Sequence, residues 1–82
     1  MIAELVQRQL SANRTESIYT PTADAADGSK AAWVEVDGGK IKRFALGRLV
    51  YGSGNMANVE GKARKASSDR SAALAIKRYL EA

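Results

Sequence analysis

Ser68 stands in front of a run in which Ala72, Ala75, Ile76, Tyr79 and Leu80 recur at helical spacing, leaving one apolar face and one polar face. A serine in that position accepts hydrogen bonds from the free amides of a first helical turn, and Asp69 just inside it complements the helix dipole. The pattern predicts a closing helix after Ser68. A helix with a single apolar stripe needs a second layer to bury it.

The middle of the chain supplies that layer. Ala32-Trp33-Val34-Glu35-Val36 alternates large apolar with polar positions, and Asp37-Gly38-Gly39-Lys40 offers residues that accept positive φ at a two-residue turn, the strongest hairpin signal present. The return segment carries Ile41, Phe44, Leu46, Leu49, Val50 and Tyr51, with Gly47 near its middle as a bulge or bend, so it reads as one long bent strand or two short ones. Gly52-Ser53-Gly54-Asn55 reads as a turn, and Val59 to Ala66 as a twisted, part-exposed basic strand that feeds the helix. Nearer the start, Ile2, Leu5, Val6 and Leu10 are spaced by three and four and predict a first helix ended at Asn13. Ile18 and Tyr19 form a short strand or a loop, with Pro21 limiting any strand there to a sheet edge, and the polar stretch from Pro21 to Lys30 is a connector.

The fold class expected is therefore α+β: a single domain over residues 1–82, with an N-terminal helix, an antiparallel sheet of three to four strands and a C-terminal helix packed on one face. No apolar run approaches the roughly 20 residues of a membrane-spanning helix, and Glu4, Gln7, Arg8 and Gln9 interrupt the early apolar cluster. No membrane association and a cytoplasmic location are the expectations.

The chain has no cysteine and no histidine, which removes disulfides, thiolate nucleophiles, the usual zinc ligands and the side chain best suited to proton transfer near neutrality. Asp24 with Asp27, or Glu35 with Asp37, are pairs of carboxylates, but the first two lie in the polar connector and the last two on what reads as the exposed side of a strand. Both pairs are expected to be solvated rather than to chelate a cation. Ser67 and Ser68 beside Lys65 fit capping and turns better than a nucleophile pair. Gly52-Ser53-Gly54-Asn55-Met56-Ala57 has the letters of a dinucleotide-binding loop without the strand and helix that give those letters meaning. No enzyme activity, cofactor or metal is expected.

Charge is the remaining signal. Residues 1–37 hold three basic and six acidic side chains, whereas residues 38–82 hold ten and three, so the second half carries all of the positive excess. Lys40, Lys42, Arg43, Arg48, Lys62, Arg64, Lys65 and Arg70 are the candidate partner-binding residues, with Lys77 and Arg78 completing the basic set. Interleaved with Trp33, Phe44, Tyr51 and Tyr79, they have the composition of a surface that grips phosphates, although Trp33 and Tyr79 are expected mainly to pack.

Ala32 to Ile41 resembles the central hairpin of the double-stranded-RNA-binding domain, and Glu60-Gly61-Lys62 through Ser68 with Ala72-Ala73-Leu74-Ala75 resembles its last strand and alanine-rich helix. The resemblance implies an α-β-β-β-α order and contact with duplex RNA. In that family, lysines at the start of the last helix span the RNA major groove; the corresponding positions here hold Asp69, Arg70 and Ala73, and the connector from Asp24 to Lys30 lacks the family's histidine. Lys62, Arg64 and Lys65 are left to meet phosphates from the strand side.

Two functions follow as expectations. The first is a non-catalytic protein that docks on a protein or nucleoprotein partner, in the manner of phage or mobile-element accessory proteins such as anti-CRISPR inhibitors of nucleic-acid-guided defence. The second is direct binding of duplex RNA or DNA through the basic strand and last helix. Oligomeric state is left open by the sequence.

Overall fold

Ala31, Ala32, Trp33 and Val34 are four apolar residues in a row, and a strand carrying such a run belongs where both faces of a sheet are covered. The computed structural model, which describes residues 2–82, places them in the central strand of a mostly β protein. Six strands and one helix follow in the order β1 (Ala3–Gln9), β2 (Arg14–Thr20), β3 (Lys30–Asp37), β4 (Lys40–Tyr51), a single 3-10 turn at Ser53–Asn55, β5 (Ala57–Glu60), β6 (Ala63–Lys65) and α1 (Asp69–Glu81). All strand pairs are antiparallel in the order β1-β2-β3-β4-β5, and β6 also pairs with β4.

The expected α+β arrangement with an N-terminal helix and three to four strands is thereby corrected. Leu5 and Val6 are neighbours in a strand, not one turn of a helix. The ladder between β1 and β2 shifts between Glu4 and Val6, and both Leu5 and Val6 pack against the same apolar cluster. A bulge that turns two consecutive side chains to one face imitates helical spacing. The segment with Ile18 and Tyr19 is not confined to an edge either: β2 lies between β1 and β3, and Pro21 falls just beyond its last residue. The α-β-β-β-α order implied by the resemblance is not the order of this chain, which opens with two strands.

β4 is one 12-residue strand with a different partner along each half: Arg43 to Ala45 face Lys65 to Ala63 in β6, and Arg48 to Tyr51 face Glu60 to Ala57 in β5. The expected single strand from Val59 to Ala66 is thus two strands broken at Gly61 and Lys62. Two glycines permit the break. A Cβ on Gly47 would run into the carbonyl of Glu60, and one on Gly61 would lie 2.8 Å from the Leu46 carbonyl oxygen. The Gly38-Gly39 hairpin turn has φ of 61° and 82°, as the sequence predicts.

Each face of the sheet has its own core. On one face α1 lays Ala72, Ile76 and Leu80 over Ala32, Val34 and Phe44. On the other, Ile18, Ala31, Leu49 and Ala57 form a second cluster joined by Leu5, Val6, Trp33 and Val59, so all of the first five strands contribute. Five neighbouring strands converge on one cluster when the sheet curls around it, and Arg8 of β1 accordingly donates to the carbonyl of Ala57 in β5 at 2.8 Å. The helix is tied at both ends. Asp69 Oδ1 accepts from the Ile41 amide at 2.8 Å, Ser68 Oγ accepts from the Ser71 amide at 3.0 Å, and Lys30 Nζ donates to the terminal carbonyls of Tyr79 and Ala82. The Tyr79 hydroxyl donates to the Gly47 carbonyl at 2.8 Å, so α1 holds the middle of β4 as well. No helix among the described residues is long and apolar enough to cross a membrane.

Candidate functional site

The two-residue turn after Asp37 starts β4 beside the segment that leaves β6 and enters α1. Ala66 donates its amide to the Lys42 carbonyl at 2.8 Å, and Asp69 holds the Ile41 amide, so the two segments are locked side by side. Between them lies a cleft of about 750 Å³. Its walls carry Lys40, Lys42 and Arg43 from β4, Lys65 from the end of β6 and Arg70 from the first turn of α1, with the hydroxyls of Ser67 and Ser68 between them. All five cationic side chains are exposed. Among the described residues, Lys40, Lys42, Lys65 and Arg70 make no ion pair and no side-chain hydrogen bond. The amino-terminal end of α1 opens into the same space and adds the positive end of its dipole. Asp69 is the one acidic side chain in the wall.

The other predicted site residues lie apart. Arg64 stacks over the Phe44 ring, with its guanidinium carbon 5.3 Å from the centroid. Lys62 sits exposed at the break between β5 and β6, and Arg48 donates to the Gly28 carbonyl at 3.3 Å, on the half of β4 that pairs with β5. The fold thus gathers five of the eight residues predicted from the sequence around one cleft and leaves Arg48, Lys62 and Arg64 outside it. Ser67 and Ser68, assigned to capping and turns, line that site as well. Their place follows from the short link between β6 and α1, which composition alone does not reveal.

A second set of polar contacts runs across the curled face. The ladder aligns Arg8, Glu16, Glu35, Arg43 and Lys65 in one row and Val6, Ile18, Trp33, Ala45 and Ala63 in the next. Glu16 accepts from Arg8 at 3.2 Å and from the Trp33 indole at 3.1 Å. Glu35, expected on an exposed side, is only 9% exposed and accepts from Arg14 at 2.7 Å. That hydrogen bond, followed by the Glu35 charge, holds the Arg14 guanidinium above its ordinary pKa. Arg43 lies 5.9 Å from the Trp33 centroid, so one residue of the cationic cleft reaches across to the neighbouring row that contains the only tryptophan. No group of three or more acidic side chains among the described residues is placed to hold a metal ion.

Comparison with protein-family models, with curated proteins and with solved structures finds no match.

Proposed function

We propose that this is a non-catalytic binding protein that holds the phosphate backbone of a nucleic acid in the cleft between β4 and the start of α1. The supporting observation is that Lys40, Lys42, Arg43, Lys65 and Arg70 converge there from three elements, and among the described residues none of the five makes an ion pair. Unpaired cations gathered in a concave site concentrate positive potential and attract polyanions, releasing condensed counterions on binding. The amino-terminal end of the helix adds the positive end of its dipole, which favours phosphate oxygens.

On this reading an electrophoretic shift with duplex RNA, duplex DNA and single strands at about 50 mM salt gives a complex. Five phosphate contacts on a duplex correspond to roughly a 4- to 5-decade fall in affinity per tenfold rise in salt. Lys42→Glu with Lys65→Glu removes binding, whereas Arg48→Gln, outside the cleft, leaves it intact. No shift with any of these nucleic acids overturns the reading.

A second reading, docking on a nucleoprotein complex as an accessory inhibitor, draws on a different surface. Val50, Tyr51 and Met56 are 37%, 39% and 57% exposed on the single hairpin that joins β4 to β5. Exposed apolar groups on one hairpin suit a protein partner better than a phosphate chain. Tyr51→Ser with Met56→Ser then weakens association with a purified nucleic-acid-guided complex while binding to free oligonucleotides is unchanged. Equal association of the variant and the parent overturns this second reading.

A further inference from the structure

Trp33 faces Ala45 of β4 across the ladder, and Ala45 in turn faces Ala63 of β6. Small side chains beside a large ring leave a depression along the ring, and the structure has a slot of about 250 Å³ there, walled by Trp33, Ala45, Asn58, Val59, Gly61 and Ala63. Trp33 is only half-buried, so its indole is part of the slot wall as well as of the core behind it. The rim is polar in one respect that matters for a ligand. β5 and β6 pair with β4 on one side only, so their outer backbone edges face away from the ladder. Backbone donors and acceptors on such an edge can meet the hydrogen-bonding edge of a planar ring.

The slot is continuous in chemistry with the cationic cleft. Arg43 lines the cleft and reaches over Trp33, and Lys65 faces Arg43 directly across the ladder. A flat aromatic ligand beside the tryptophan would therefore have two cations where its anionic tether leaves the slot. Resting on the phosphate-binding reading above, we propose that this slot takes a nucleobase of a single strand whose phosphates run on through the cleft. A base held in a duplex is stacked between its neighbours and has no free face to offer, so this arrangement selects single-stranded over duplex nucleic acid.

Trp33 is the only tryptophan, which makes its fluorescence a direct reporter of the slot. The experiment titrates the protein at about 50 mM salt with a single-stranded oligonucleotide, the same strand in a duplex, and a strand of equal charge with every base removed. The expected result is quenching of Trp33 emission by the intact strand alone, and an affinity for it roughly 5- to 100-fold above that for the abasic strand, as one or two stacked bases supply. Because Trp33 also packs against the inner cluster, the slot is tested separately by Ala63→Leu, which fills it without altering charge. That variant is expected to bind the intact strand no better than the abasic one while keeping its affinity for the latter. Equal affinity of the parent for intact and abasic strands, unchanged emission on binding, or undiminished preference in Ala63→Leu overturns the slot and leaves the phosphate-binding reading standing. Failure of all three nucleic acids to bind overturns both.

Discussion

Glu35 is a carboxylate placed where carboxylates rarely sit, 9% exposed in the central strand with a guanidinium 2.7 Å away. Removing water from an ionised oxygen is costly unless a charged donor replaces it, and Arg14 is that donor. Arg14 itself reaches in from a more exposed position, with 45% of its side chain accessible, so the pair is screened from one side only. Arg14→Ala leaves the carboxylate without its donor and is expected to lower the midpoint of chemical denaturation, an effect set by the orphaned acceptor more than by the lost ion pair. The double variant Arg14→Ala with Glu35→Gln recovers part of that loss, because a neutral amide is cheaper to leave in the same place. A double variant no more stable than Arg14→Ala alone contradicts this account. Trp33 shows the same economy of contacts: its indole N–H donates to Glu16, which also accepts from Arg8, so the ring is oriented by a carboxylate that is itself held.

At the scale of elements, what could be read in the sequence depended on whether a local pattern had one physical cause. α1 was legible because its cap, its acidic first turn and its apolar stripe all point to the same helix, and Ser68, Asp69, Ala72, Ile76 and Leu80 take those roles. The β3-β4 hairpin was legible for the same reason, since Gly38 and Gly39 occupy the positive-φ positions the turn requires. β1 was not, because a bulge turned Leu5 and Val6 to one face and gave a strand the spacing of a helix. The division of the last strand was also hidden. It depends on Gly47 and Gly61 lying against each other's strands, a contact between residues 14 positions apart in the chain. The candidate site followed the same rule: the sequence named the cations, while the pairing of β4 with β6 decided which five share a cleft. Gly47→Ala tests the glycine contact, because its new Cβ has nowhere to go except into the Glu60 carbonyl. It is expected to lower the unfolding free energy by about 3 kcal/mol, with the added methyl forcing β5 away from β4. An alanine variant as stable as the parent would mean that β5 can move aside without loss.

The whole molecule depends on how far the sheet curls. Antiparallel strands twist, and a sheet of five with an apolar cluster on its inner face closes around that cluster until its edges approach. Here the first and last strands in the order do not pair; Arg8 spans the gap, donating to the Ala57 carbonyl at 2.8 Å and to Glu16 at 3.2 Å. One side chain thus stands in for the ladder that would seal a barrel, and the opposite side of the sheet is braced separately by α1. The two halves of the fold should consequently open independently, with the seam the weaker. Arg8→Met keeps the aliphatic stem against the inner cluster and deletes both hydrogen bonds, at an expected cost of about 1–3 kcal/mol. Native-state hydrogen exchange locates that cost: amides of β1 and β5 should exchange faster, while those of α1 and of the β3-β4 ladder keep their protection, because α1 packs on β3 and β4 and makes no use of the seam. Uniformly faster exchange in all elements would instead mean that the sheet opens as one unit and that Arg8 contributes to global stability alone.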